Sequence, residues 1–85
     1  MNFSLSTKKV EDVVVITAAG RLTTGEPVLL LRDTIGKLSD GGAREFVLDL
    51  SEVSHIDSAA LGELVSAYTM LRNRNGDIKL VLPGR

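Results

Sequence analysis

His55, Asp57 and Ser58 are the side chains of this chain whose types could do chemistry, and they fall within four consecutive positions. Serine, histidine and aspartate are the members of a hydrolytic triad. In known triads the members come from separate elements, so that their side chains converge on one point. Neighbours in a loop and a helix start do not converge that way. One histidine with scattered carboxylates does not supply the three or four ligands of a zinc site, and cysteine is absent. Neither GxxxxGK[ST] nor GxGxxG occurs, so those phosphate cradles are missing too. The residues therefore predict no catalytic centre, no metal and no cofactor. Two readings remain open for Asp57-Ser58. The pair caps a helix, since both residue types accept from free backbone N–H groups at a helix start. Alternatively, the hydroxyl of Ser58 is an accessible, modifiable group at the positive end of a helix dipole, where a phosphate is stabilised.

The elements around that pair follow from hydrophobic patterning. Phe46, Val47, Leu48 and Leu50 make a compact apolar run within Glu45 to Leu50, the mark of a covered strand. Ser51 to Asp57 is polar and reads as a loop. Leu61, Leu64, Val65, Tyr68 and Leu71 then recur as an amphipathic helical stripe that Asn75-Gly76-Asp77 ends. Gly62 weakens the early part of this helix, which suits the close approach of another surface. Ala59 and Ala60 leave the helix start flat.

Upstream, Phe3 to Val10 alternates as a half-exposed strand, and Glu11-Asp12 is a break of hairpin length. Val13 to Ala19 opens with four β-branched residues, which favours a strand covered on both faces. Gly20 to Gly25 interrupts the pattern and reads as a loop. Pro27 fits the first turn of a helix carrying Val28, Leu31, Ile35 and Leu38, which Asp40-Gly41-Gly42 stops. Ile78 to Leu82 is a last strand before Pro83-Gly84-Arg85. The order β-β-α-β-α-β predicts an α/β fold: a mixed sheet, hairpin first and parallel units later, with helices on at least one face.

The 85 residues make one domain with a limited core, and no repeat or linker divides it. A net charge of −1 gives no field that favours nucleic acid or an anionic membrane. No apolar run approaches membrane-spanning length, and the N-terminus lacks the basic-then-apolar plan of a signal peptide. A soluble cytoplasmic protein is the expectation.

The block FVLDLSEVSHIDSAALG, with the earlier ITAAGRLTTGEP, resembles the STAS domain of bacterial anti-sigma factor antagonists. The likeness spans nearly the whole chain in element order. It is sharpest where IDSAALG follows the strand, beside the family's usual D-S-S-G-L-G. It implies a phosphorylation-switched binding module that acts on no substrate itself. An anti-sigma factor serine kinase binds the unmodified antagonist, which releases a sigma factor, and phosphorylates the serine after the aspartate, here Ser58. A PP2C-type phosphatase resets the switch. The surface that meets the partner is then expected from Asp57, Ser58, Ala59, Leu61 and Gly62 with the loop Leu22, Thr23 and Thr24. A scaffold or accessory role in a stress-signalling assembly or beside a transporter is the alternative.

Two departures from the family pattern stand out. Ala59 and Ala60 replace its second serine and its glycine, so Ser58 is the motif's sole acceptor. Family members also continue with a further helix, strand and helix beyond Leu82, so the chain reads as lacking those C-terminal elements, through truncation or as a minimal version. Missing cover of that kind exposes apolar surface and a strand edge, which favours a homodimer.

Overall fold

In the computed structural model, which describes residues 2–83, six elements follow in the expected order. They are β1 Phe3–Val10, β2 Val13–Leu22, α1 Glu26–Asp40, β3 Glu45–Ile56, α2 Ser58–Asn73 and β4 Asp77–Val81. The strands form one sheet in the order β1-β2-β3-β4. β1 and β2 pair antiparallel through the Glu11-Asp12 turn, whereas β3 pairs parallel with both β2 and β4. Each parallel pair needs a crossover, and α1 and α2 supply them. The turn closes without glycine because Glu11 itself takes φ 56°.

Side-chain alternation sorts the sheet into two faces. Val14, Ile16, Ala18 and Leu22 of β2, Phe46, Leu48, Leu50 and Val53 of β3, and Ile78 of β4 are buried. Val28, Leu31 and Ile35 of α1 with Ala60, Ala67 and Leu71 of α2 complete the same core. On the other face Val13, Val15, Thr17 and Val47 are only half-buried. The β-branched run in β2 therefore marks one covered face, not the two expected of it. β-Branched residues suit any pleated surface that is at least partly packed, so their presence does not count helical layers.

Much of both predicted loops is in fact strand, with Thr23 to Gly25 and Asp57 left outside it. β2 runs on through Gly20, Arg21 and Leu22, and β3 runs on from Ser51 to Ile56. The register explains why the pattern hid them. Thr17 faces Asp49 but Ala19 faces Glu52; Gly20 faces Val53 but Arg21 faces His55. At each step β3 carries one residue more than β2, so it bulges twice. Leu50 and Val53, three positions apart, are thereby both buried. A period-2 reading loses the strand at that point. The first irregularity is held by Asp49, whose Oδ1 accepts the Ser51 N–H at 2.9 Å. Gly20 takes φ 100°, and a Cβ there would overlap the carbonyl oxygen of Asn2. Glycine is needed because the start of the first strand crosses it: the Arg21 N–H donates to Asn2 O at 2.9 Å.

α2 turns a different side to the core from the one its large residues suggest. Its buried positions are Ala60, Glu63, Ala67 and Leu71. Leu61, Val65 and Tyr68 are 55%, 65% and 48% exposed, and Leu64 is half-buried. Of the predicted stripe only Leu71 is fully enclosed. The side toward α1 is lined by alanines, and across it Arg32 Nε donates to Glu63 Oε1 at 2.9 Å. At the far end of the helices, Arg74 Nη1 reaches both Ser39 Oγ and Asp40 Oδ1 at 2.9 Å. Among the described residues, no helix is long and apolar enough to cross a membrane.

Candidate functional site

The site is built where β2 and β3, parallel neighbours, both end. β2 delivers Leu22, Thr23 and Thr24 toward α1, and β3 delivers Ile56 and Asp57 into α2. Leu22 and Ile56 are register partners, so the two segments leave the sheet side by side. Asp57 is the N-cap of α2, with extended backbone at φ −99° and ψ −179°. Its Oδ1 accepts the Ala60 N–H at 3.0 Å, the usual task of a cap. Its Oδ2 accepts the Thr24 N–H at 2.7 Å. One carboxylate therefore caps α2 and fastens the loop that precedes α1. The two amides, Thr24 first and Ala60 second, hold the Asp57 carboxyl below its ordinary range.

Ser58 is the first residue of α2 and is exposed. Asp57 performs the cap, which leaves Ser58 Oγ without a hydrogen-bond partner among the described residues. The hydroxyl thus sits at the positive end of a 16-residue helix whose first turn contains no acidic residue. Ala59, Leu61 and Gly62 are exposed on the same two turns, and a Cβ on Gly62 would meet no atom within 4 Å. Among the described residues, no other part of the chain packs onto Gly62. Thr24 is exposed and Thr23 half-buried beside it.

Leu22 must be withdrawn from the expected partner surface. It is 0% exposed and belongs to the core. Its apparent place in a loop came from reading Gly20 as the end of the strand, whereas the alternation continues two residues further and turns Leu22 inward.

His55 is engaged elsewhere. Arg21 Nη1 lies 3.2 Å from His55 Nδ1, and Ser54 Oγ lies 2.9 Å from the same nitrogen. A guanidinium only donates, so in the contact with Arg21 the acceptor is His55 Nδ1. Arg21 and His55 are also register partners across β2 and β3, a pairing invisible while both segments read as loops. The Thr24–Asp57 hydrogen bond was equally hidden, because it joins residues 33 positions apart. The buried Glu63 had one usable signal: a carboxylate at helical spacing between Ala60 and Ala67, opposite a basic residue on the other helix.

A second feature lies on the other side of α2. Leu61, Leu64, Val65 and Tyr68 with Ile78 and Leu80 of β4 line an open groove with no charged side chain in it.

A four-stranded mixed sheet, two crossover helices and an exposed serine at a carboxylate-capped junction define a small α/β domain with one strand–helix junction turned to the surface. The STAS domain family matches residues 4–85, and the chain belongs to that family. It is 31% identical over 81 residues to the anti-sigma-B factor antagonist of Bacillus subtilis (strain 168), across 94% of this chain and 72% of that protein. A Thermotoga maritima chain classed with the anti-sigma factor antagonists superposes with a TM-score of 0.85 at 28% identity, over 95% of this chain and 69% of its own. The Bacillus cell fate determinant SpoIIAA in its phosphorylated form superposes at 0.79 with 22% identity, over 95% and 74%. The resemblance read from FVLDLSEVSHIDSAALG therefore holds for family and fold.

Proposed function

We propose that this chain is an anti-sigma factor antagonist switched by phosphorylation of Ser58. The observation that carries the reading is the division of labour at the junction: Asp57 takes the cap, and Ser58 stands free and exposed one residue further on. Unmodified, the surface of Asp57, Ser58, Ala59, Leu61, Gly62, Thr23 and Thr24 docks an anti-sigma factor serine kinase in the cytoplasm, and the sigma factor is released. The kinase transfers the γ-phosphoryl group of ATP to Ser58 Oγ, with ADP leaving and the hydroxyl proton lost. A PP2C-type phosphatase hydrolyses the ester and restores the binding form.

The physics of the switch is local. A phosphate adds about −1.5 to −2 charges at one point of the docking surface. Asp57 is the adjacent residue and is already ionised, so an approaching partner meets concentrated negative charge that it must desolvate. The helix start itself tolerates the phosphate, because the dipole favours an anion there. The fold therefore survives while the interface is lost. Ser58 acts in this scheme as a substrate for other enzymes.

The test is incubation with the serine-kinase anti-sigma factor of the source organism and ATP, followed by mass spectrometry of the peptides. The expected result is one phosphate, on Ser58, absent in Ser58→Ala. Phosphate on another residue, or none, would overturn the assignment. Calorimetric titration adds a second arm: Ser58→Glu is expected to lose at least tenfold in affinity for the kinase while Ser58→Ala retains it.

A further inference from the structure

We propose that Asp57 is a positioning residue that joins the two halves of the docking surface, and that a phosphate on Ser58 acts through it to release the loop of Thr23, Thr24 and Gly25. The inference rests on the reading of Ser58 as a phosphate acceptor and adds how the modification is transmitted. Its first ground is that both carboxylate oxygens of Asp57 are occupied within the chain. Oδ1 accepts the Ala60 N–H at 3.0 Å and Oδ2 accepts the Thr24 N–H at 2.7 Å. Asp57 is half-buried, so it shapes the surface by holding Thr24 in place.

The second ground is how little else holds that loop. Gly25, the N-cap of α1, gives its helix no side-chain cap, and a Cβ built on it meets nothing within 4 Å. The β2–β3 ladder ends at Leu22 and Ile56. Beyond it, the Thr24–Asp57 hydrogen bond is the tie between this loop and α2 among the described residues. The position of Thr23 and Thr24 therefore depends on the charge and the placement of one carboxylate.

A phosphate on Ser58 changes both. It brings about −1.5 to −2 charges and three acceptor oxygens to the residue next to Asp57. The positive end of α2 now holds one anion, since Asp57 is the cap and the first turn contains no acidic residue. After modification the amides of that end face two anions, of which the phosphate carries more charge and is fixed to the first turn. Like-charge repulsion raises the pKa of Asp57 and drives its carboxylate from the helix start. The Thr24 amide is the largest cause of the present lowering of that pKa. It loses a charge-assisted acceptor, and such bonds are about twice as strong as neutral ones. The loop then leaves the junction, and a partner must order it again in order to bind.

The test compares three isotopically labelled chains by NMR: unmodified, carrying phosphate on Ser58 (installed as phosphoserine during translation), and Asp57→Asn. Asparagine keeps the cap through its one carbonyl oxygen and turns a donor toward Thr24. The phosphate is expected to shift the Thr24 amide resonance and to speed its hydrogen exchange about tenfold or more, the lower end of what a hydrogen bond to a charged group contributes. The amides of Ile16 and Leu48, both in the core, are expected to keep their protection. Asp57→Asn is expected to give the same Thr24 signature without phosphate, and to lose about tenfold or more in affinity for the serine-kinase anti-sigma factor. A Thr24 amide unchanged by the phosphate would overturn the proposal. So would release by the phosphate but not by Asp57→Asn, core amides that open together with Thr24, or full kinase affinity in an Asp57→Asn chain whose Thr24 amide is released. The NMR comparison needs no kinase, so it decides the coupling by itself. A kinase that leaves Ser58 unmodified would instead fault the assignment of Ser58 alone.

Discussion

Replacing Gly62 by alanine separates stability from binding at the candidate site. Gly62 is the fifth residue of the 16-residue helix α2, where glycine is about 1 kcal/mol less favourable than alanine. The structure decides whether that difference is realised. A Cβ built on Gly62 meets nothing within 4 Å, the residue is exposed, and its φ lies outside the left-handed region. No clash or strain offsets the gain, so the full propensity difference applies. Gly62→Ala is therefore expected to stabilise the fold by about 1 kcal/mol, a rise of about 4–8 °C in Tm for a domain of this size. Thermal unfolding followed at 222 nm measures it, with urea titration as an independent check in which the midpoint moves and the slope stays constant. If Gly62 lies under the docked partner, the same substitution weakens binding while it strengthens the fold. A Tm that is unchanged or lower would refute the reasoning, because open space and helical backbone would then not describe this position.

The remaining expectations concern the junction, the crossing point of β1, and the helix pair. The Asp57 carboxyl is held below its ordinary value of 3.8 by the Thr24 and Ala60 amides. A folded-state pKa below the unfolded one contributes stability that is complete above the unfolded pKa and is lost as pH falls through the folded one. Asp57→Asn should flatten the acid limb of stability below about pH 4, measured as urea midpoints between pH 5 and 2. An identical limb in both proteins counts against the two amide contacts. Gly20→Ala should destabilise by about 2–4 kcal/mol or abolish folding, because it combines positive φ with an overlap on the Asn2 carbonyl; a native-like melting curve would contradict the crossing described above. Arg32→Gln removes the ion partner of Glu63, which is 9% exposed, and should cost about 1–2 kcal/mol. The double variant with Glu63→Gln should regain part of that loss, and a strictly additive double-variant cycle would show the pair to be uncoupled.

Much of the fold is legible from patterning because most of the elements obey simple periods. The β1–β2 turn, the Pro27 helix start and the strand beginning at Glu45 all lie where alternation, proline and glycine put them. What escaped did so for identifiable reasons. β3 carries two extra residues, and each inserted residue flips the parity on which strand reading depends. Leu22 went astray with the strand extension that carries it. α2 misled in another way: its large apolar residues are the exposed ones, and alanines with Glu63 face the first helix. Size is a poor guide to the buried side when two helices meet through small residues. At the site, Asp57 and Ser58 were readable as residue types. Their difference in role was not, since it depends on the Thr24 amide, a contact made only after the sheet has brought two distant segments together.

That contact bears on how the protein folds. The Thr24–Asp57 hydrogen bond spans 33 residues and includes the whole of α1 and β3. It cannot form until β2 and β3 have paired in register through both bulges, and loop closure makes such a long-range contact slow. The hairpin and the helices can form earlier, from local contacts. The junction around Ser58 thus depends on a non-local contact that local helix and hairpin formation does not supply. A partly unfolded chain would offer the serine on flexible backbone without its neighbouring loop, so the docking surface proposed above requires a chain in which β2 and β3 are paired to their ends.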